Sequence, residues 1–214
     1  RRVRPARAHP WESGGSWVLE GLFERLLAGD EAAARFRQRY CVYALPMTNK
    51  DGVARGLTRF NVRGKDLNRE WDRPADPELA PENAALEAWL DGQTRAGLRP
   101  HLAIDFHNDG GGQLHISRPE VPDLDRYLAR MARLEALLRK HTWFTEGSTK
   151  ATFRNPGSLG DGWLERFGID AAVQELNCNW IAGLNEAPSA RHWRDYGAAL
   201  AEVFYDYFGD RDTK

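Results

Sequence analysis

Strands alternating with helices along most of the chain predict a three-layer α/β/α sandwich built on a mixed, largely parallel central sheet. Three observations carry that expectation. Short strand-like runs recur, such as Leu102–Phe106 and the continuously apolar Cys41–Leu45, which has the character of a strand covered on both faces. Between them lie segments whose apolar residues recur at helical spacing. Polar clusters fall where the expected strands end, and in open α/β sheets ligands bind beyond the carboxyl ends of the strands. At ~100 to 200 residues per domain, 214 residues make one unit, spanning 1–214.

Taken in order, residues 3–8 form a short strand-compatible run, followed by a helix from near Ser16 that carries Trp17, Val18, Leu22, Phe23, Leu26 and Leu27 on its apolar face. Gly29 closes that helix, and Asp30 caps a second through Arg39. The strand Cys41–Leu45 stops at Pro46. Residues 47–81 show little periodicity but are rich in Gly, Arg, Asn and Asp, and a loop of this length in a compact domain is usually functional. Pro81 opens a helix to about Arg95 with Leu86, Trp89 and Leu90 on one face, stopped by Gly97. A strand Leu102–Phe106, the turn Gly110–Gly112 and a strand Leu114–Ser117 come next, then an amphipathic helix over 123–140. Residues 142–162 are read as irregular. A helical piece Trp163–Phe167 ends at Gly168, ahead of a strand Ile169–Leu176 and a last helix over about 188–208. No internal repeat is found, and Trp163, Trp180 and Trp193 are read as core residues.

With 42% hydrophobic and 29% charged residues, the chain can bury a core and is not a disordered or low-complexity sequence. Lys plus Arg number 30 against 31 for Asp plus Glu, so no global field draws the chain to nucleic acid or to a membrane surface. No apolar run approaches the ~20 residues that cross a bilayer. Two cysteines, Cys41 and Cys178, are too few for a disulfide framework or a four-cysteine metal site and are read as small buried hydrophobes. The opening Arg1–Ala8 runs directly into His9, so upstream sequence is expected. The compartment expected is the cytoplasm, with secretion left open; the oligomeric state is not addressed by the sequence.

His9-Pro10-Trp11-Glu12 places an imidazole and a carboxylate three residues apart in a turn leaving a strand, where both can face one cation. That pairing suits a single Zn2+, which in catalytic sites takes three His or carboxylate ligands and keeps a fourth position open. His107, at the end of the strand Leu102–Phe106, is the third ligand expected. Asp105, two residues earlier, is not expected to share its face on a regular strand, so its support of His107 is left open. His101 starts its strand at the opposite end, and His115, His141 and His192 lack a comparable context.

His9-Pro10-Trp11-Glu12, Pro46-Met47-Thr48-Asn49-Lys50-Asp51-Gly52-Val53, Asp66-Leu67-Asn68-Arg69 and Asp105-Phe106-His107, in that order, resemble the zinc metallocarboxypeptidase family, nearest its cytosolic and bacterial branch. The resemblance runs from His9 to about Glu175. It implies a zinc-carboxypeptidase-like fold, here short of the family's N-terminal strands, and hydrolysis of the last peptide bond of peptides or protein C-termini. It implies His9, Glu12 and His107 as zinc ligands, Arg59 as the group that meets the oxyanion, Asn68 and Arg69 as the grip on the terminal carboxylate, and Glu175 as general base. Arg55 and Arg63 compete with Arg59, and Glu165 and Asp170 compete less well with Glu175. The chemistry is coherent on its own terms: zinc acidifies water, a carboxylate takes the proton, a guanidinium meets developing negative charge, and Arg beside Asn suits a planar carboxylate.

Three departures accompany the resemblance. Residues 142–174 contain no tyrosine, where the family carries one that folds over substrate; Trp11 stands where relatives have Arg or Gly; and the chain is short. Lys150 and Arg154 are read as part of a solvated face. Two other readings remain: a related zinc amidohydrolase that deacylates N-acyl amino acids, as aspartoacylase-like relatives do, and a non-catalytic peptide-binding module on the same fold.

Overall fold

The computed structural model describes residues 2–116, 118–149 and 157–209. A five-stranded sheet runs in the order β2 (Val42–Leu45), β1 (Arg2–Pro5), β3 (Leu102–Asp109), β5 (Asp170–Asn177), β4 (Leu114–His115). Every neighbouring pair is parallel except β4 with β5. The sheet is therefore mixed and largely parallel, as the alternation of strands and helices predicts. Around it lie α1 (Gly14–Leu27), α2 (Glu31–Arg39), α3 (Lys50–Ala54), α4 (Pro81–Arg95), α5 (Leu124–His141), α6 (Leu159–Phe167) and α7 (Ala190–Gly209).

Side-chain alternation along the strands divides the core between two faces. Leu102, Ile104 and Phe106 of β3, with Ala172 and Leu176 of β5, join the apolar faces of α1, α5 and α7. Ala103 and Ala171 point the other way, into a cluster of Leu86 and Leu90 from α4, Leu159 and Trp163 from α6, and Trp71. The same parity assigns Asp105, His107 and Glu175 to the α4/α6 face and Asn108 to the α1/α7 face. Asn108 bears this out by accepting from Gly14 N at 2.9 Å and donating to Leu176 O at 3.0 Å, which pins the start of α1 to the sheet.

α1 and α7 cross unusually closely because glycines face each other's backbones. A Cβ on Gly21 would lie 2.0 Å from Arg194 O, and one on Gly197 would lie 1.9 Å from Val18 O. Either contact is impossible without separating the helices, so both positions need the missing side chain. Helix starts follow expected chemistry: Asp30 accepts from Ala33 N at 2.9 Å, and Pro81 sits in the first turn of α4.

Several boundaries differ from the sequence reading, each for a physical reason. The loop over 47–81 contains the short helix α3, capped by Asn49, whose side chain accepts from Gly52 N at 3.0 Å. β3 continues to Asp109 because His107 and Asn108 pair in register with Glu175 and Leu176. α6 begins at Leu159 rather than Trp163; its Ser158 cap outweighs the low helix propensity of Gly160 and Gly162. Trp163 is buried against Trp71, with ring centroids 5.7 Å apart, whereas Trp180 is 48% exposed and is not a core residue. Both cysteines are free, but Cys41 is exposed rather than buried and Cys178 is only partly covered. Lys150 and Arg154 lie outside the described residues.

Candidate active site

The turn after β1 carries the first two residues of the site. Ala6 ends the strand's pairing, Arg7 takes a left-handed φ of 54°, and its guanidinium donates to Pro10 O at 2.7 and 3.1 Å. That fixes the reversal which returns Glu12 toward His9. Nδ1 of His9 lies 2.7 Å from Oε1 of Glu12, and Nδ1 of His107 lies 2.7 Å from Oε2 of the same carboxylate. The two Nδ1 atoms are 3.1 Å apart, and one ligand atom from each of the three residues falls within a 4.8 Å cluster. All three side chains are buried.

Each imidazole is held by its other nitrogen. His9 Nε2 lies 3.0 Å from Asp66 Oδ1, and His107 Nε2 lies 2.7 Å from Asp105 Oδ2. Asp105 thus does share the face of His107: residues two apart on a pleated strand point to the same side, so the expectation that they diverge is corrected. With Nε2–H donated outward to carboxylates, both Nδ1 lone pairs converge on the same small space. Two facing lone pairs beside a buried carboxylate repel unless a cation lies between them. Glu12 Oε2 adds to the case, since it contacts His107 without forming an aligned hydrogen bond. The donor set therefore fits a zinc ion.

Electrostatics point the same way. Burial raises the Glu12 carboxyl, but the adjoining rings of His107 and His9 outweigh it and hold the group at about 2. Burial opposes charge on His107, and Asp105 and Glu12 overcome that to push it well above the usual histidine value; His9 is raised against burial by Asp66 and Glu12. In each case the pocket is built to receive positive charge.

Asp66 links the cluster to the long loop. Its Oδ2 accepts from Arg59 Nε at 2.8 Å and Nη2 at 2.7 Å, while Oδ1 accepts from Asn68 N at 3.0 Å. Burial raises the Asp66 carboxyl, but the His9 ring first, then Asn68 N and Arg59, overcome it and hold the group far below the usual carboxylate range. Of the three arginines weighed for the oxyanion, Arg59 alone shows this link; Arg55 and Arg63 are exposed. The Asn68 side chain reaches α6, its Oδ1 accepting from Leu159 N at 3.0 Å. Arg69 is exposed and donates to Asn68 O at 2.8 Å. Glu70 follows with a left-handed φ of 63°, so the loop turns sharply beside the two residues.

Glu175 stands opposite His107 across the β3–β5 pairing, on the same face. Its Oε2 is buried and has no hydrogen-bond partner among the described residues. Burial is the main reason its carboxyl rises to about 7; nearby Asp109, Glu12 and Asp105 add to the rise, and His107 opposes it. The rivals are committed elsewhere: Asp170 pairs with Arg130 Nη2 at 2.6 Å, and Glu165 accepts from Glu120 N at 2.8 Å. Asp109, His115 and Glu175 form a second group within 4.8 Å. Asp109 is occupied there by Gly111 N at 2.8 Å and Gly112 N at 2.6 Å, so the Gly-rich stretch is an Asx-held turn.

The sequence expectation thus names His9, Glu12, His107, Arg59, Asn68 and Glu175, and the fold gathers them; Arg69 lies beside Asn68 at the exposed rim. It assigns no role to Asp66 and gives little weight to Asp105 and His115. The motif Asp66-Leu67-Asn68-Arg69 and the i, i+2 rule could have found the two aspartates. Nothing local marks His115, which reaches Glu175 only through the antiparallel pairing of β4 with β5.

Mouse cytosolic carboxypeptidase 4 is 38% identical over 106 residues, covering 50% of this chain and 9% of that protein. Cytosolic carboxypeptidase 6 of Caenorhabditis elegans is 45% identical over 71 residues, 33% of this chain and 16% of that protein. The chain therefore spans a small part of the curated relatives it matches. A metallo-carboxypeptidase from Burkholderia cenocepacia superposes with a TM-score of 0.84 at 22% identity, covering 98% of this chain and 57% of that one, and shares the fold. The zinc carboxypeptidase family model matches residues 4–114, a span that holds the buried His–Glu–His cluster and the loop joined to it by Asp66. On that match the chain belongs to the zinc carboxypeptidase family.

Proposed function

We propose that the chain is one catalytic unit, 1–214, that hydrolyses the C-terminal peptide bond of peptides or protein C-termini. His9, Glu12 and His107 would hold one zinc ion. The observation that carries this is the convergence of His9 Nδ1 and His107 Nδ1, 3.1 Å apart beside Glu12, with Glu175 on the same face and its Oε2 without a hydrogen-bond partner among the described residues.

Bound there, zinc supplies Lewis acidity, polarising a carbonyl and making a water molecule acidic near neutral pH. This chain's own groups do the rest. The Glu175 carboxylate accepts the proton of the attacking water and then passes it to the departing amine, so that acid and free amino acid leave with atoms balanced. Burial, with the nearby carboxylates, raises its basicity to the range where such a transfer is effective. Arg59 offers N–H donors to the developing oxyanion while Asp66 keeps it aimed. Asn68 and Arg69 receive the terminal carboxylate, which measures the chain end. Asp66 and Asp105 fix both imidazoles in the tautomer that leaves Nδ1 free.

Among the described residues no helix is long and apolar enough to cross a membrane. The relatives are named cytosolic carboxypeptidases, and a cytoplasmic site of action is proposed by that likeness. The test supplies N-acyl peptides and N-acyl amino acids to zinc-loaded protein. Release of the C-terminal residue from the peptides, with zinc near one ion per chain, is expected. Deacylation of N-acyl amino acids in its place would move the reading to an amidohydrolase, and zinc binding without any hydrolysis would reduce the chain to a binding module.

A further inference from the structure

The motif Pro46–Val53 stands out in the sequence, yet none of its side chains has a part in the proposed chemistry. Its charged members Lys50 and Asp51 are exposed, and within it only Asn49 and Gly52 are buried. Asn49 is 0% exposed. Burying an amide costs free energy unless its polar atoms are used, so the partners of Asn49 reveal its role.

Those partners lie in the turn that supplies two of the proposed zinc ligands. The strand pairing ends at Ala6, and the carbonyls from there to His9 need other donors. Thr48 N donates to Ala6 O at 2.9 Å, Asn49 N to Arg7 O at 3.1 Å, and Asn49 Nδ2 to Ala8 O at 3.2 Å. Asn49 thus takes the last two carbonyls before His9, one through its backbone and one through its side chain. Its Oδ1 meanwhile accepts from Gly52 N at 3.0 Å, so one amide is tied both to the turn and to α3.

α3 is also pressed against the turn. A Cβ on Gly52 would stand 2.6 Å from Pro10 Cγ and 2.5 Å from Asn49 Oδ1. No side chain fits there unless Pro10, which lies between His9 and Glu12 in the chain, moves. Leu57 N donates to Gly52 O at 2.9 Å, and Thr58 O accepts from Trp11 N at 3.3 Å, which closes the frame one residue before Arg59. Arg7 braces the turn from its own side through Pro10 O. The ligand turn is therefore held from a segment 41 residues away, and not by its own short-range bonds alone.

We propose that Asn49 is a positioning residue: through Ala8 O and Gly52 it fixes the turn so that His9 and Glu12 stand ready for zinc before the metal arrives. This rests on the reading of His9, Glu12 and His107 as one metal site. A site that must order its own backbone loses part of its binding free energy to that ordering, and a turn already held loses none. Asn49 is not a ligand; it acts through the backbone it holds.

Zinc affinity, measured by chelator competition with no substrate present, tests it. Asn49→Ser keeps a side-chain oxygen that caps α3 about as well but lacks the N–H pair that reaches Ala8 O. It is expected to weaken zinc binding about tenfold, the lower end of what losing a supporting hydrogen bond at a metal site does. The visible absorption of the cobalt-substituted protein, which follows ligand geometry, is expected to change with it. Gly52→Ala, whose new methyl displaces Pro10, is expected to do the same. Leu200→Ala, in the core shared by α1 and α7, lowers stability away from the turn and is expected to keep the parent's affinity and spectrum. Either turn variant binding zinc like the parent overturns the proposal. So does an equal loss in Leu200→Ala, which would make the effect one of stability alone. If Asn49→Ser does not fold, Gly52→Ala decides by the same two readouts. A parent chain that binds no zinc would sink the metal reading and this inference with it. No hydrolysis enters these measurements, so the peptidase reading stands or falls separately.

Discussion

The two halves of the site are built on opposite electrostatic plans. On one side every outward nitrogen has a carboxylate: Asp66 holds His9, Asp105 holds His107, and Glu12 sits between the two rings. On the other side, Glu175 faces Asp109 and a His115 ring whose charge burial disfavours, and one of its oxygens has no hydrogen-bond partner among the described residues. The first half is preorganised to bind a cation without rearranging. The second keeps a group unsatisfied, which raises its free energy when charged and makes it a better proton acceptor. Carboxylates that each hold an imidazole fix geometry; Glu175, raised toward neutral pH by burial, is left available for chemistry.

Four experiments break or sharpen that contrast. Replacing a ligand should be the most severe: His107→Ala is expected to abolish both zinc retention, read by metal analysis after dialysis, and peptide hydrolysis. Next, Glu175→Gln should lower kcat about 10²- to 10⁴-fold, the usual contribution of a general base, while zinc content stays unchanged. A variant that lost its metal together with its activity would place Glu175 in the first half rather than the second.

The same substitution should do the reverse to stability. The folded Glu175 carboxyl lies at about 7 against an unfolded value of 4.5, so the folded state binds the proton more tightly. Ionisation therefore costs stability as pH rises from 4.5 through 7, and the full cost is present above that. In the metal-free chain, Glu175→Gln should raise unfolding free energy at pH 8 by about 2–3 kcal/mol, shrinking toward nothing below pH 4.5. Denaturant melts at the two pH values measure it, and a pH-independent difference would show that ionisation of Glu175 is not the source. Smallest is Asp105→Asn, which should weaken zinc binding about 10- to 100-fold in a chelator competition, because the acceptor that orients the His107 ring loses its negative charge. Unaltered affinity would mean that the packing of β3 alone sets the ring.

Much of this was legible in order along the chain. The His9–Glu12 spacing, the Asp66–Arg69 motif and the strand ending at His107 are local patterns, and the alternation of apolar runs with helical periodicity implies the layered sheet. What failed to show locally depends on who pairs with whom. β3 extends past Phe106 because β5 continues beside it, α6 starts early because Ser158 caps a glycine-rich turn, and Trp180 is exposed although its residue type favours burial.

The sequence by itself determined the donor chemistry, the helix caps, and the order in which ligands and loop residues appear, because each depends on neighbours within a few positions. Only the tertiary structure decided that His107 and Glu175 face the same way, that Asp66 reaches both His9 and Arg59, and that Trp11 and Trp17 meet Trp193 around one cavity. Strand register and helix crossing set those relations, and both arise from burial summed over the whole chain rather than from any one segment.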